Sequence, residues 1–175
     1  MAAVAKVKGL MSIIGALALG CSSTDQSSRT LSASDVSNLP AGNAVGTSFS
    51  GVYVLSDGMI SACDCRVGSC ATARVSKGNT FTLSETDGAL HVAVHSAGNA
   101  TDQMYDGGIN HGGDFRVGSS YSSGDSVSHG LLSGTVLGGV SMDAESQNTL
   151  TGKVGGETFD CDITAHLVLS YSTAR

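Results

Sequence analysis

Residues 63 to 70 read CDCRVGSC and hold three of the five cysteines in this chain. With Cys161 they make four sulfurs, a set that can bind metal, run thiol redox chemistry or cross-link. Four thiolates can close a tetrahedral zinc site, but structural zinc sites usually draw their ligands from paired C-x2-4-C knuckles. On a strand, Cys63-x-Cys65 puts two sulfurs on one side roughly 7 Å apart, with one ligand contributed from afar. Thiol redox catalysis favours Cys-x-x-Cys, and the sequence has no such spacing. Disulfides are the ordinary state of cysteines in an exported protein. A Cys63–Cys65 bond would strain an extended strand, so two pairings stay open: 63–70 with 65–161, or 63–161 with 65–70. Either one ties an early strand to the last. The expectation is two disulfide staples and no metal.

The other polar constellations are weaker. His91 and His95 form an H-x3-H pair, which on a strand is spread over about 13 Å, too far for one ion. They read as solvent-facing strand residues. Asp106, Asn110, His111 and Asp114 lie in DGGINHGGD, a Gly-bearing stretch with oxygen and nitrogen donors, and are the candidate binding residues. Calcium favours such oxygens, but the spacing matches neither the EF-hand nor the Gly-rich nonapeptide repeat. Asp64, Asp160 and Asp162 would project together if a disulfide joins Cys63 or Cys65 to Cys161, and they read as exposed surface charge. G-x-S-x-G, H-E-x-x-H and a phosphate-binding Gly-Lys motif are missing, and the serines have no identifiable base partner. The expectation is therefore a non-enzymatic protein without a cofactor.

These residues must be positioned by strands. From about Phe49 the apolar pattern has period two. Asp87-Gly88 separates TFTLSE from ALHVAVHS, and Asp-Gly between alternating runs is a strong hairpin signal. Asp57-Gly58, Gly78-Asn79, Gly138-Gly139 and Gly155-Gly156 repeat the signal, while no convincing amphipathic helix interrupts it. The fold class is all-β: an antiparallel up-and-down meander of about eight to ten strands closing into a small barrel, with a β-sandwich as the alternative. The final run puts Phe159, Cys161, Ile163, Ala165, Leu167, Leu169 and Tyr171 on one face. It is longer than an ordinary strand, so a bend is expected near its middle. Gly98 to Asp125 reads as long loops, with at most short strands around Gln103–Tyr105 and Asp114–Val117. A membrane-integral barrel would need two aromatic girdles. Four Tyr, four Phe and no Trp do not supply them.

The N-terminus reads MAAVAKVKGLMSIIGALALGC. Lys6 and Lys8 precede an uncharged, mostly apolar run from Gly9 to Gly20, too short for a bilayer span of roughly 20 residues. The order of charge, apolar run and small-residue boundary is that of a secretory signal. Ala18-Leu19-Gly20-Cys21 resembles the lipobox of bacterial lipoproteins, although Ala18 and Leu19 invert its usual large-then-small order. The resemblance implies that Cys21 is lipidated and becomes the first mature residue. Ordinary cleavage after Ala16-Leu17-Ala18 is the alternative, and would release a soluble secreted or periplasmic protein. Lipidation of Cys21 leaves four cysteines, which can pair completely. The resulting layout is a signal at 1–20, a Ser/Thr-rich disordered tether at 21–48 and a barrel domain at 49–175.

Without residues 1–20 the chain carries seven Lys/Arg against fifteen Asp/Glu, a formal charge of −8. An acidic domain without a basic cluster repels phosphate backbones, so nucleic acid is not an expected partner. The expected function is a lipid-anchored envelope protein of a Gram-negative bacterium, held at the outer membrane. It would act as a binding module for a small apolar ligand or an envelope protein. An inhibitor of a secreted hydrolase and a structural surface lipoprotein without a ligand are the alternatives.

Overall fold

Alternation of apolar and polar residues sends successive side chains to opposite faces, and eight such runs pair in sequence order into one closed barrel. The computed structural model describes residues 30–46, 49–97, 101–154 and 156–172. A four-residue helix, α1 (Ala33–Val36), precedes the strands β1 (Gly51–Val67), β2 (Thr80–Thr86), β3 (Ala89–His95) and β4 (Gln103–Ile109). These are followed by β5 (Asp114–Ser123), β6 (Ser126–Leu137), β7 (Ser141–Val154) and β8 (Glu157–Tyr171). All neighbours are antiparallel, and β1 closes the circle on β8 from Tyr53↔Tyr171 to Val67↔Asp160. The expected barrel is observed, with eight strands, and the sandwich alternative is set aside.

Inward residues from every strand meet in one core. Tyr53, Leu83, Leu90, Val92, Ile109, Val117, Leu132, Met142 and Leu169 are among its most buried members. The outward faces carry polar side chains such as Thr82, Ser84, His91, Arg116, Asp143, Glu145 and His166. No helix among the described residues is long and apolar enough to cross a membrane.

Two of the turn signals act as read. Asp87 (φ 47°) and Gly88 (φ 81°) turn β2 into β3, and Gly138 (φ 57°) and Gly139 (φ 71°) turn β6 into β7. Across the fifth signal Val154 faces Glu157, with Gly155 outside the described residues. The others need correction. Asp57-Gly58 is not a turn, because neither residue takes the positive φ that a type I′ turn needs. Strand β1 runs through them for 17 residues. Gly78 does turn with φ 86°, but the chain before it is irregular, so no hairpin forms there.

The expected bend in the last run is also relocated. Strand β8 pairs without interruption with β7, whereas β1 opposite it carries register shifts at Leu55/Asp57, Ile60/Ala62 and Cys65/Val67. Bulges in β1 take up the curvature that closure demands. Most of Gly98–Asp125 is strand rather than loop: β4 and β5 extend well past the short segments expected, and Gly124 (φ 56°) supplies a hairpin turn into β6.

The stretch expected as a tether needs the largest correction. Signal residues 1–20 and Cys21 lie outside the described residues. From Thr30 to Gly46, however, the chain straps the outer wall and then folds over one barrel end. Leu31 and Val36 are almost fully buried against Leu131, an outward residue of β6. Farther along, Gly42 N–H donates to Gly88 O and Ala44 N–H to Ile109 O, while Ala44 joins the main core. Gly108 and Gly118 let the strap lie directly on the wall. A Cβ on Gly118 would stand 2.1 Å from Val36 O, and one on Gly108 would stand 2.3 Å from Gly42 N.

Candidate functional site

Among the described residues, three places that gather polar or reactive side chains bear on the candidate sites. The first is the sulfur cluster at the end opposite the strap's cap. Cys65 and Cys161 are register partners on β1 and β8 with Cα atoms 4.0 Å apart, and their sulfurs are bonded. Cys63 bonds Cys70, which begins a short 3-10 turn (Cys70–Thr72) after β1. The observed pairing is therefore 63–70 with 65–161, one of the two left open by the sequence. The two bridges touch: Cys65 Sγ lies 3.5 Å from Cys70 Sγ.

The second place lies on the outer face behind that cluster. Arg66 donates Nε and Nη2 to the two oxygens of Asp160, and Nη1 to Asp162 Oδ2 at 2.6 Å. Thr149 Oγ1 donates to Asp162 Oδ1, Thr30 Oγ1 donates to Asp162 Oδ2 at 2.7 Å, and Leu31 N–H donates to Thr149 Oγ1 at 2.7 Å. Asp64, Asp160 and Asp162 do share this face, with Asp64 opposite Asp162 in register. The expectation that all three are exposed fails at Asp162, which is 1% exposed because the strap covers it. Burial pushes its carboxyl pKa up, but hydrogen bonds from Thr149, Arg66 and Thr30 outweigh that and hold it below the ordinary value.

The sign follows from linkage. A carboxyl depressed in the folded state contributes stability above its unfolded pKa, and loses it as pH falls through the folded one. The polar lock on the strap is therefore at full strength above the usual carboxylate range of about pH 4 and weakens below it. Urea unfolding at neutral and acidic pH should show a steeper acid loss for the wild type than for Asp162→Asn. Parallel pH profiles for the two proteins would contradict this.

The third place holds the four candidate binding residues, which the fold separates. Asp106 is an outward residue of β4 whose Oδ1 lies 2.5 Å from His91 Nδ1. Asn110 and His111 form the β4–β5 turn, where His111 N–H donates to Asn43 Oδ1 of the strap at 2.9 Å. Asp114 opens β5 and accepts from Thr135 Oγ1 at 2.7 Å. Only Asn110 and Asp114 reach a common groove, about 220 Å³ in volume, between the strap (Leu39 to Gly42) and Arg116. His95 pairs with Asp102, the residue just before β4, at 2.8 Å, so each histidine of the H-x3-H pair has its own carboxylate. Sequence reasoning missed Arg116 and the strap residues. Pro40-Ala41-Gly42 gives no sign of packing against Gly88 and Gly108 of the barrel.

One buried carboxylate also escaped notice. Glu85 points inward from β2, where Oε2 accepts Phe49 N–H at 2.8 Å and Oε1 has no hydrogen-bond partner. Its alternation with Phe81 and Leu83 was the available signal.

These features define the class of protein: an eight-stranded antiparallel barrel with a buried apolar core, an outer strap and two contacting disulfides. No protein-family model, curated protein or solved structure matches this chain.

Proposed function

We propose that this is a lipid-anchored cell-envelope protein that binds a protein partner through the strapped end of its barrel. The observation carrying this reading is the buried core inside the barrel. Eight strands contribute to one buried core, and a barrel packed with its own side chains leaves little room to carry a ligand. The groove beside Asn110, Asp114 and Arg116 is smaller than the roughly 300–1,000 Å³ of drug-sized sites. Its size suits one or two side chains of a partner. Polar outward faces favour a barrel in water, and the lipobox-like Cys21 supplies the membrane link.

Two measurements test this. Cys21→Ser should move the protein from the detergent phase to the aqueous phase in detergent phase separation, and equal partition would refute anchoring. Full-length protein used as bait on solubilised envelopes should retain a partner that Arg116→Glu loses. Identical capture by both baits would exclude the groove.

A further inference from the structure

We propose that the four cysteines form a thiol–disulfide exchange site, in which reduction of the outer Cys63–Cys70 bridge by a dithiol opens the inner Cys65–Cys161 bridge. The geometry rests on one contact. Cys65 Sγ and Cys70 Sγ belong to different bridges yet stand 3.5 Å apart, and the sulfurs of Cys63, Cys65 and Cys70 all lie within 4.8 Å of one another. Exchange requires a thiolate to reach a disulfide sulfur, so proximity and access set which bridges communicate.

The two bridges differ in access. Both residues of the outer bridge, Cys63 and Cys70, are partly exposed, and Cys70 sits on the short turn outside the barrel ladder. In the inner bridge only Cys65 is partly exposed, and it is held in the β1–β8 ladder. Cys161 is 7% exposed, fixed on β8 with its sulfur directed at Val67 O. An external dithiol therefore meets the outer bridge first. Its thiolate attacks Cys63 Sγ, the 63–70 bond breaks and Cys70 leaves as thiolate. The second thiol of the reductant resolves the mixed disulfide, departing as its own disulfide and leaving Cys63 reduced. These steps transfer two electrons to the protein.

The Cys70 thiolate is then in contact with Cys65 Sγ. Its attack forms a 65–70 bond and expels the Cys161 thiolate, with no further change in electron count. The product has thiols on Cys63 and Cys161 and one local bridge in place of the one that spanned 96 residues. Two electrons delivered at the surface thus release the tie between β1 and β8. This goes beyond anchoring and partner binding, and depends on neither.

The test uses the full chain, reduced without oxygen by limiting dithiothreitol, then acid-quenched, alkylated and peptide-mapped. At the two-electron stage Cys63 and Cys161 should be alkylated, with Cys65 and Cys70 joined. Alkylation of Cys63 and Cys70 with 65–161 intact would overturn the proposal. So would passage from fully oxidised to fully reduced protein without a two-electron species. A variant pair gives an independent check, with circular dichroism confirming that each remains β. Cys63→Ser leaves Cys70 free to attack Cys65, so Cys161 should become alkylated. In Cys70→Ser the remaining thiol stays on Cys63, because a bond to Cys65 would strain the strand. Equal alkylation of Cys161 in the two variants would refute the exchange.

Discussion

Replacing Cys161 with serine should lower the unfolding free energy by about 4–5 kcal/mol, and replacing Cys70 by only about 2–3 kcal/mol, in the chain-entropy treatment of cross-links. The difference comes from loop length. The Cys65–Cys161 bridge spans 96 residues and Cys63–Cys70 spans seven. The longer bridge also holds a place where the barrel has little else. Strand β1 pairs with β2 only from Gly51 to Val54, so beyond Leu55 its ladder partner is β8 alone. Bulges interrupt that ladder three times, and the disulfide lies just before the last of them. Denaturant unfolding of the two variants should separate their midpoints clearly. Equal losses would mean that loop length does not govern the effect. Exchange does not rescue Cys161→Ser, because any bridge then formed among Cys63, Cys65 and Cys70 is local.

The second large effect concerns the strap. A chain beginning at Gly42 lacks Leu31 and Val36, each of which buries nearly all of its side chain on Leu131. Burying such a side chain is worth about 1.5–3 kcal/mol, so the truncated protein should lose about 3–6 kcal/mol. It also exposes Leu131 and leaves Asp162 without its Thr30 donor. The double variant Leu31→Ala/Val36→Ala should reproduce most of the loss in a full-length chain, which separates packing from the effect of chain ends. An unchanged urea midpoint in both proteins would show that the strap adds no net stability.

The barrel was legible because its signals are local. Asp87-Gly88 and Gly138-Gly139 carry their own backbone requirement, and the alternation from Phe159 to Leu169 identifies the buried face directly. Asp57-Gly58 misled because the same dipeptide also serves in a bulged strand. There Gly58 faces inward, and a Cβ would stand 2.7 Å from Val75 Cγ1. The strap was not legible because three apolar residues, Leu31, Val36 and Leu39, are too few to lift a Ser/Thr-rich stretch out of a disordered composition. What fixes them is Leu131 and Asp162, more than 90 positions away. The candidate site failed for the same reason. DGGINHGGD looked like one flexible loop, yet strand register sends Asp106 to His91 and Asp114 to Thr135. The cysteine set was read correctly as to kind, while the choice between two pairings required knowing that Cys65 faces Cys161.

The strap also alters the reach of the molecule. Were the chain free from Cys21 to Phe49, a lipid on Cys21 could let the barrel wander up to about 100 Å from the bilayer, at the full extension of a polypeptide. Fastening at Thr30 shortens that leash to nine peptide steps, about 30 Å at most. On the anchoring proposed for Cys21, the wall carrying Asp162 and Thr149 would be kept within roughly one barrel length of the lipid surface. Weakening the Asp162 lock, by acid or by substitution, would release Thr30 and so lengthen the leash.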